Sequence, residues 1–189
     1  MTVRDYERTA PPTPHRWTRE EFYQLAEQGY FQRKRVMLID GEIIDMSPHG
    51  KAHAYVITYL THWAINAFGK DFLVRPQLSL NATEYSDPEP DIAIVPGPLR
   101  RDADHPSTAA LIIEVAESSL AIDRKKAKIY AQAGVEDYWI VNTRDSQIEV
   151  FRKPVNRERY ESNQISKPPQ TISPLARPQA ILDVADLFR

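Results

Sequence analysis

Three charged residues lie in apolar surroundings, and together they could bind a divalent cation and a phosphate. Glu114 lies inside the apolar run ALIIEVA, and Lys126 lies in the helix expected after it. Asp91 opens a second apolar run, DIAIV, directly after a proline turn. Two carboxylates at the ends of adjacent strands supply oxygen ligands for a hard cation, and a lysine above them supplies a positive charge for a phosphate.

Glu114 is the least expected of the three residues. The strand period of two places Ile112, Glu114 and Ala116 on one face of the strand. An ionised carboxylate in a central strand is costly unless it is paired or binds a cation, so Glu114 requires a partner. A purely structural ion pair with Lys126 is one explanation, and a metal site that also includes Asp91 is the other.

Lys126 interrupts an apolar stripe. On a helix over residues 119–133, a step of 100° per residue gathers Ile122, Ile129, Tyr130 and Ala133 on the side that faces the sheet, and Lys126 lies among them. The alternative is that Lys126 lies along this apolar surface and extends its ammonium group to water. The sequence leaves both open.

The surrounding elements are predicted from capping, periodicity and turn signals. A short helix starts at a capping box formed by Thr18 and Glu21, a hairpin turns at Asp40-Gly41, and a second hairpin turns at Asp145-Ser146. The remaining predictions are a long helix over 51–69, strands over 71–80, 91–95, 109–116, 137–142 and 147–153, a helix over 119–133, and a proline-rich surface strap that ends in a short helix at 183–188.

Composition limits the classes of protein that fit. The 189 residues are 42% hydrophobic and 26% charged, which suits one globular domain over 17–189 behind a flexible arm over 1–16. The chain has no cysteine, which excludes disulfides and cysteine-ligated metals. It lacks a signal-type or membrane-spanning apolar run, so we expect a cytoplasmic protein without membrane contact. The net charge of −2 means that any polyanion site must be local.

The order of these elements resembles the core of the PD-(D/E)xK nuclease superfamily. Within it, the chain is similar to a family of restriction-endonuclease-like proteins that is abundant in cyanobacteria and whose role is mostly uncharacterised. The resemblance implies an α/β (α+β) restriction-endonuclease-like fold: an αβββαβ core whose central mixed sheet is flanked by helices, with an additional N-terminal helix and hairpin. The stretches that carry it are RWTREEFYQLAEQG, LIDGEIIDMSPHG, PEPDIAIV, LIIEVAESS, KAKIYAQAGVEDYWIVN and LDVADLF.

The resemblance also implies a site. Asp91 and Glu114 would be metal ligands, joined by the backbone carbonyl of Val115, and Mg²⁺ would be the cofactor, with Mn²⁺ able to substitute. The superfamily lysine two residues after the glutamate is replaced here by Ala116, and Lys126 matches the lysine that this family supplies from the next helix. The implied activity is Mg²⁺-dependent endonucleolytic hydrolysis of DNA, by analogy in a homodimer.

Two departures from the family pattern keep a second function open. Met37 stands where relatives commonly have Glu, and the long helix carries no carboxylate. Supporting roles would fall to Glu42, His53 and Gln77. The chain could therefore be a catalytically weakened nuclease-fold protein that acts as a DNA-binding or regulatory module. A two-carboxylate glycosidase is a weaker alternative, because that chemistry does not need the lysine. A local surface for tracking phosphates would consist of Arg33, Lys34, Arg35, Arg124, Lys125 and Lys128.

Overall fold

A six-stranded mixed sheet lies at the centre of the computed structural model, which describes residues 13–48 and 50–189. The helices are α1 (Arg19–Glu27), α2 (Lys51–Phe68) and α3 (Leu120–Gln132), with 3₁₀ helices at Gly69–Asp71 and Val184–Phe188. The strands are β1 (Val36–Ile39), β2 (Glu42–Asp45), β3 (Phe72–Pro76), β4 (Ile92–Pro96), β5 (Leu111–Ala116), β6 (Asp137–Asn142), β7 (Gln147–Val155), β8 (Arg159–Ser166), β9 (Thr171–Ile172) and β10 (Leu182–Asp183).

The sheet has the strand order β3-β4-β5-β6-β7-β8, and its pairs are antiparallel except β5 with β6. Parallel neighbours need a crossover, and α3 provides it between β5 and β6. The predicted fold class is confirmed: a mixed sheet flanked by helices, preceded by a helix and a hairpin.

Local signals explain several of the elements. Thr18 and Glu21 form both hydrogen bonds of the capping box at the start of α1. Asp40 and Gly41 have positive φ angles of 51° and 82°, as a two-residue turn between β1 and β2 requires, and the strands pair from Ile39 with Glu42 outwards.

The two faces of the sheet are covered differently. Helix α2 packs against one face, where Val56 and Leu60 lie in the same buried cluster as Ile113 and Trp139. Helix α3 covers the other face, where Tyr130 packs with Ile112 and Tyr138. The alternation along β5 therefore directs Glu114 to the side of α3.

Three regions differ from the sequence-based expectation. Strand β3 ends at Pro76 rather than at residue 80, because Gln77 has a φ angle of 52° and turns the chain. Strand β8 was not predicted. The tail ends in the expected short helix at Val184–Phe188, but it is not only a surface strap, since Leu182 and Val184 are buried in the α2-side core.

Part of the N-terminal arm contacts the domain. Arg16 hydrogen-bonds Asp40 and lies over the Tyr85 ring, 4.5 Å from its centroid. Residues 1–12 of the expected flexible arm lie outside the described residues. Among the residues that are described, no helix combines the length and apolar character needed to cross a membrane.

Candidate active site

A cleft of about 270 Å³ lies between the β1–β2 hairpin and the N-terminal ends of α2 and α3. Asp91, Glu114 and Lys126, the residues expected from the sequence, all line it. Six carboxylates are among its described lining residues: Asp45, Glu89, Asp91, Glu114, Glu117 and Asp123. The cleft is therefore strongly acidic, and Lys126 is a positive charge in its wall.

Lys126 joins two buried carboxylates. Its Nζ lies 3.0 Å from Oε1 of Glu114 and 3.1 Å from Oδ1 of Asp123, and its side chain is 5% exposed. The alternative in which Lys126 extends to water is therefore wrong. Tyr130 donates its hydroxyl to the same Glu114 oxygen at 2.6 Å, so Glu114 Oε1 has two donors. An ammonium group has three N–H donors, which leaves one of them for the cleft.

Asp91 lies directly before β4 and beside Glu114. Its Oδ2 accepts from the backbone N–H of Val115 at 2.8 Å and lies 3.1 Å from Nε2 of His53 on α2. Its own backbone N–H points at Oε2 of Glu114, 3.4 Å away. The two carboxylates thus come from the adjacent strands β4 and β5 and meet at the same end of these strands.

The backbone of Val115 faces the same place. A residue in an extended strand directs its N–H and C=O to the same side, and the N–H of Val115 points at Asp91. The carbonyl of the next residue, Ala116, points the other way and accepts from Thr143. The Val115 carbonyl therefore lies on the side of Asp91.

Burial and crowding set the protonation of the cluster. Burial raises the pKa of Glu114 to about 8, because the Lys126 charge only partly offsets the cost of desolvation and the nearby Asp123 and Asp91 carboxylates add repulsion. Burial alone would lower the pKa of Lys126, but the carboxylates of Glu114 and Asp123 outweigh it and raise the pKa, so the ammonium form is kept.

Asp91 and His53 shift in opposite directions. Burial is the largest effect on Asp91 and opposes its ionisation, but the hydrogen bond and charge of His53, the Val115 N–H and the Lys126 charge together outweigh it and hold the pKa of Asp91 below its usual value. Burial is the largest effect on His53 and would lower its pKa, but the hydrogen bond to Asp91 and the charges of Asp91, Glu114 and Glu117 together outweigh it and raise the pKa. His53 therefore stabilises the ionised form of Asp91.

The hairpin supplies the apolar side of the cleft. Met37 on β1 pairs in register with Ile44 on β2, and both line the cleft together with Met46 and Ile122. Met37 is buried and packs against Ile39 and Ile129. A glutamate at this position would face the six carboxylates, whereas the methionine makes this wall apolar.

Two of the suggested supporting residues lie elsewhere. Glu42 is exposed at the start of β2 and does not line the cleft. Gln77 does not line it either, but its backbone N–H bonds the carbonyls of Pro90 and Asp91, so it buttresses the segment that carries Asp91. Of the three candidates, His53 is the residue that the structure brings to the site.

Much of the suggested basic surface is neutralised by carboxylates. Arg124 makes two hydrogen bonds to the buried Glu149, at 3.0 and 2.6 Å. Nζ of Lys34 lies 3.5 Å from Oδ2 of Asp45, and Nη2 of Arg35 lies 2.8 Å from Oε2 of Glu89. Lys125 and Lys128 are exposed on α3. The positive field that these residues can offer a polyanion is therefore smaller than the sequence suggested.

The comparisons with known proteins agree with this fold. The model of the Uma2 family, described as "Putative restriction endonuclease", matches residues 19–185. The chain belongs to this family. One solved structure, described as a putative nuclease belonging to DUF820 from Anabaena variabilis ATCC 29413, matches with a TM-score of 0.75 at 15% identity, over 91% of this chain and 97% of that chain. At that identity the likeness shows the fold alone. No curated protein matches.

The donor atoms at the site of this Uma2 family member suit a hard divalent cation. The carboxylates of Asp91 and Glu114 and the carbonyl of Val115 are oxygen donors, which Mg²⁺ and Mn²⁺ prefer. Within the described residues, no three Asp, Glu, His or Cys side chains are arranged to hold a metal ion. That is compatible with Mg²⁺, which commonly binds through one or two carboxylates and keeps several water ligands.

Asp123 and Tyr130 have roles in the site that the sequence reading did not assign. Asp123 is almost fully buried, and it accepts from Ser119 Oγ at 2.6 Å as well as from Lys126. The sequence contains a signal for Asp123: it lies three residues before Lys126, and residues three apart on a helix are neighbours. Tyr130 was assigned to the apolar stripe, and its hydroxyl contact with Glu114 depends on a helix-to-strand distance that the sequence does not contain.

Proposed function

We propose that the protein is a divalent-metal-dependent endonuclease that hydrolyses phosphodiester bonds in DNA. The observation that carries the proposal is the convergence of Asp91, Glu114 and Lys126 in an acidic cleft. Lys34 and Arg35 pair with two of the six lining carboxylates and Lys126 is shared by two more, so carboxylates remain in excess. They would repel a polyanionic backbone unless a bound cation offset them, and the charge of the cleft therefore supports a metal-dependent reaction. Membership in the Uma2 family supports a nuclease.

Asp91 and Glu114 would hold the cation, with the Val115 carbonyl as a third oxygen donor. When bound, Mg²⁺ or Mn²⁺ supplies Lewis acidity toward a phosphate oxygen and makes a water molecule more acidic. Tyr130 donates to Oε1 of Glu114 and so fixes the orientation of the carboxylate. His53 does the same for Asp91 and favours its ionised form.

Lys126 would act on the phosphate. Asp123 and Glu114 hold its ammonium group from two sides, and the remaining N–H can donate to a phosphate oxygen as negative charge increases there. The raised pKa of Lys126 keeps this group positively charged, which suits charge stabilisation rather than proton abstraction.

Cleavage of supercoiled plasmid DNA in Mg²⁺ or Mn²⁺ tests this proposal. We expect Asp91→Ala and Lys126→Ala each to reduce the rate by about 100-fold or more, because each removes a group that stabilises charge in the transition state. Asp102→Ala and Lys167→Ala are matched controls at exposed positions outside the cleft and should retain activity. Cleavage that survives both cleft substitutions would contradict the proposed site.

A DNA-binding protein without turnover is the second candidate, and Met37 favours it. The side chain lines the cleft where the family resemblance leads us to expect glutamate. This alternative predicts DNA binding in Ca²⁺, no cleavage in Mg²⁺ or Mn²⁺, and a gain of cleavage in Met37→Glu. Cleavage by the unmodified protein that depends on Lys126 would exclude it.

A further inference from the structure

The reactive groups of the cleft are recessed from the surface. Glu114 is 2% exposed, Lys126 is 4% exposed and Asp91 is 7% exposed. A phosphate in an intact duplex is held on a base-paired backbone, whereas an unpaired nucleotide can leave the stack and enter a pocket. The volume of about 270 Å³ is slightly below the roughly 300–1,000 Å³ of typical small-ligand pockets. The cleft therefore suits one unpaired nucleotide better than a duplex.

The hairpin wall offers a surface for a base. Ile44 and Met46 project from one face of β2 and its extension, beside Met37, and Ile122 of α3 completes the apolar lining. Apolar and thioether groups contact the face of any base without reading its sequence. This surface lies in the same cleft as the carboxylates that would hold the cation, so a base and its phosphate could be bound together.

The charges around the cleft do not favour a duplex. Duplex binding depends on many contacts from lysine and arginine to phosphates. Lys34, Arg35 and Arg124 are each within 3.5 Å of a carboxylate, which offsets their charge. Two of the six lining carboxylates, Asp45 and Glu89, are the partners of Lys34 and Arg35, and the other four, of which Glu114 and Asp123 share Lys126, add repulsion toward a second strand.

We infer that the cleft takes an unpaired DNA strand, with one base against Met46 and Ile44 and its phosphate toward Lys126, so that single-stranded DNA or an unpaired flap is the substrate rather than an intact duplex. The cleavage part of this inference rests on the proposed function. The binding part depends on the shape and lining of the cleft and on a bound divalent cation that offsets its carboxylates, but not on turnover.

The test compares a single-stranded oligodeoxynucleotide, the same strand in a blunt duplex, and a duplex with an unpaired flap. Cleavage is measured as kcat/KM in Mn²⁺, and binding is measured by fluorescence anisotropy in Ca²⁺. We expect single strands to be cleaved and bound better than the duplex by about tenfold or more, because the duplex must first lose stacking and pairing. The flap substrate should be cut on its unpaired side.

Each outcome bears on one proposal or on both. A duplex cleaved as well as the single strand would overturn this inference and leave the proposed function intact. Preferential binding of the single strand without any cleavage would contradict the proposed function and support the binding inference. A protein that neither binds nor cleaves any of the three substrates would overturn both.

Substitutions of Met46 test the position of the base independently. Met46→Ala should weaken single-strand binding by about two- to tenfold, with little change in kcat, because it removes a contact to the base and none to the phosphate. Met46→Leu should restore binding. Ile65→Ala, on the exposed face of α2, is the matched control. Unchanged affinity in Met46→Ala would overturn the placement of the base.

Discussion

Two buried carboxylates of the central sheet, Asp137 on β6 and Glu114 on β5, differ in how their charge is balanced. Asp137 on β6 is fully buried, and both its oxygens are occupied: Oδ1 accepts from Trp139 and Arg152, and Oδ2 accepts from Arg152 and Leu175. Around Glu114 the carboxylates outnumber the cations, because Lys126 is shared between Glu114 and Asp123, and Asp91 lies beside them.

The difference separates a structural ion pair from a candidate active site. Arg152 also donates to the carbonyl of Ser173, so the Asp137 group fastens the tail segment to the sheet. The Glu114 group lines the cleft and has more carboxylates than cations, and burial, with added repulsion from Asp123 and Asp91, raises the pKa of Glu114. Burial of a carboxylate alone therefore does not support the proposed site; its access to the cleft and its incomplete charge balance do.

Substitutions at Asp137 and Glu114 should differ in how much they lower the free energy of unfolding. We expect Asp137→Ala to lower the free energy of unfolding by about 3–5 kcal/mol, because it leaves Arg152 and two other donors without their acceptor. Glu114→Gln should stay within about 1 kcal/mol of the unmodified protein, because Lys126 keeps Asp123 as its partner. Urea denaturation monitored by tryptophan fluorescence measures both. A larger loss in Glu114→Gln would mean that the cluster around Glu114 is the structural one.

The pH dependence of stability should also distinguish them. The pKa of Glu114 is raised from 4.5 to about 8, so its contribution to stability is fully present below about pH 4.5 and is lost as the pH rises through about 8. Without divalent cations, we expect the unfolding free energy to fall over this range, on the order of a few kcal/mol from this group. Glu114→Gln should flatten the profile.

The control for the pH experiment is Glu20→Gln, at an exposed position on α1. It should keep the pH profile of the unmodified protein. An identical slope in Glu114→Gln would show that Glu114 is ionised with an ordinary pKa, against the charge excess described for the cleft.

Divalent cations should stabilise the protein through the cleft. A cation that binds only the folded state, and whose concentration is a hundred times its Kd, adds about 2.7 kcal/mol to the free energy of unfolding. We expect Mg²⁺, Mn²⁺ or Ca²⁺ to raise the melting temperature at pH 8 relative to KCl of equal ionic strength. Asp91→Ala and Glu114→Gln should lose this effect, and Asp137→Asn should retain it. Equal stabilisation of all variants would point to a cation site elsewhere.

Much of the fold follows from local patterns. The capping box at Thr18, the turn at Asp40-Gly41 and the period of α3 each act over a few residues, so the sequence contains the complete signal. Strand β8 lacks such a signal, because Tyr160 is the one buried side chain of the segment RYESNQIS and the place of the strand depends on pairing with β7.

Parts of the tail and of the site could not be predicted from the sequence, because they depend on contacts between residues distant in the chain. Burial of Leu182 and Val184 accompanies the attachment of the tail to Asp137, which is distant in the chain. The inward position of Lys126 followed from helical periodicity, whereas its sharing between Glu114 and Asp123 required the packing of α3 on β5. The exclusion of Glu42 from the cleft likewise depended on how the hairpin packs.

Anomalous scattering from crystals soaked in Mn²⁺ tests whether Asp91 and Glu114 hold a divalent cation beside Lys126. We expect one ion bonded to a carboxylate oxygen of each acid, next to the Val115 carbonyl. If the protein cleaves DNA in Mn²⁺ but its crystals show the ion bound away from both Asp91 and Glu114, this assignment of the metal ligands is contradicted.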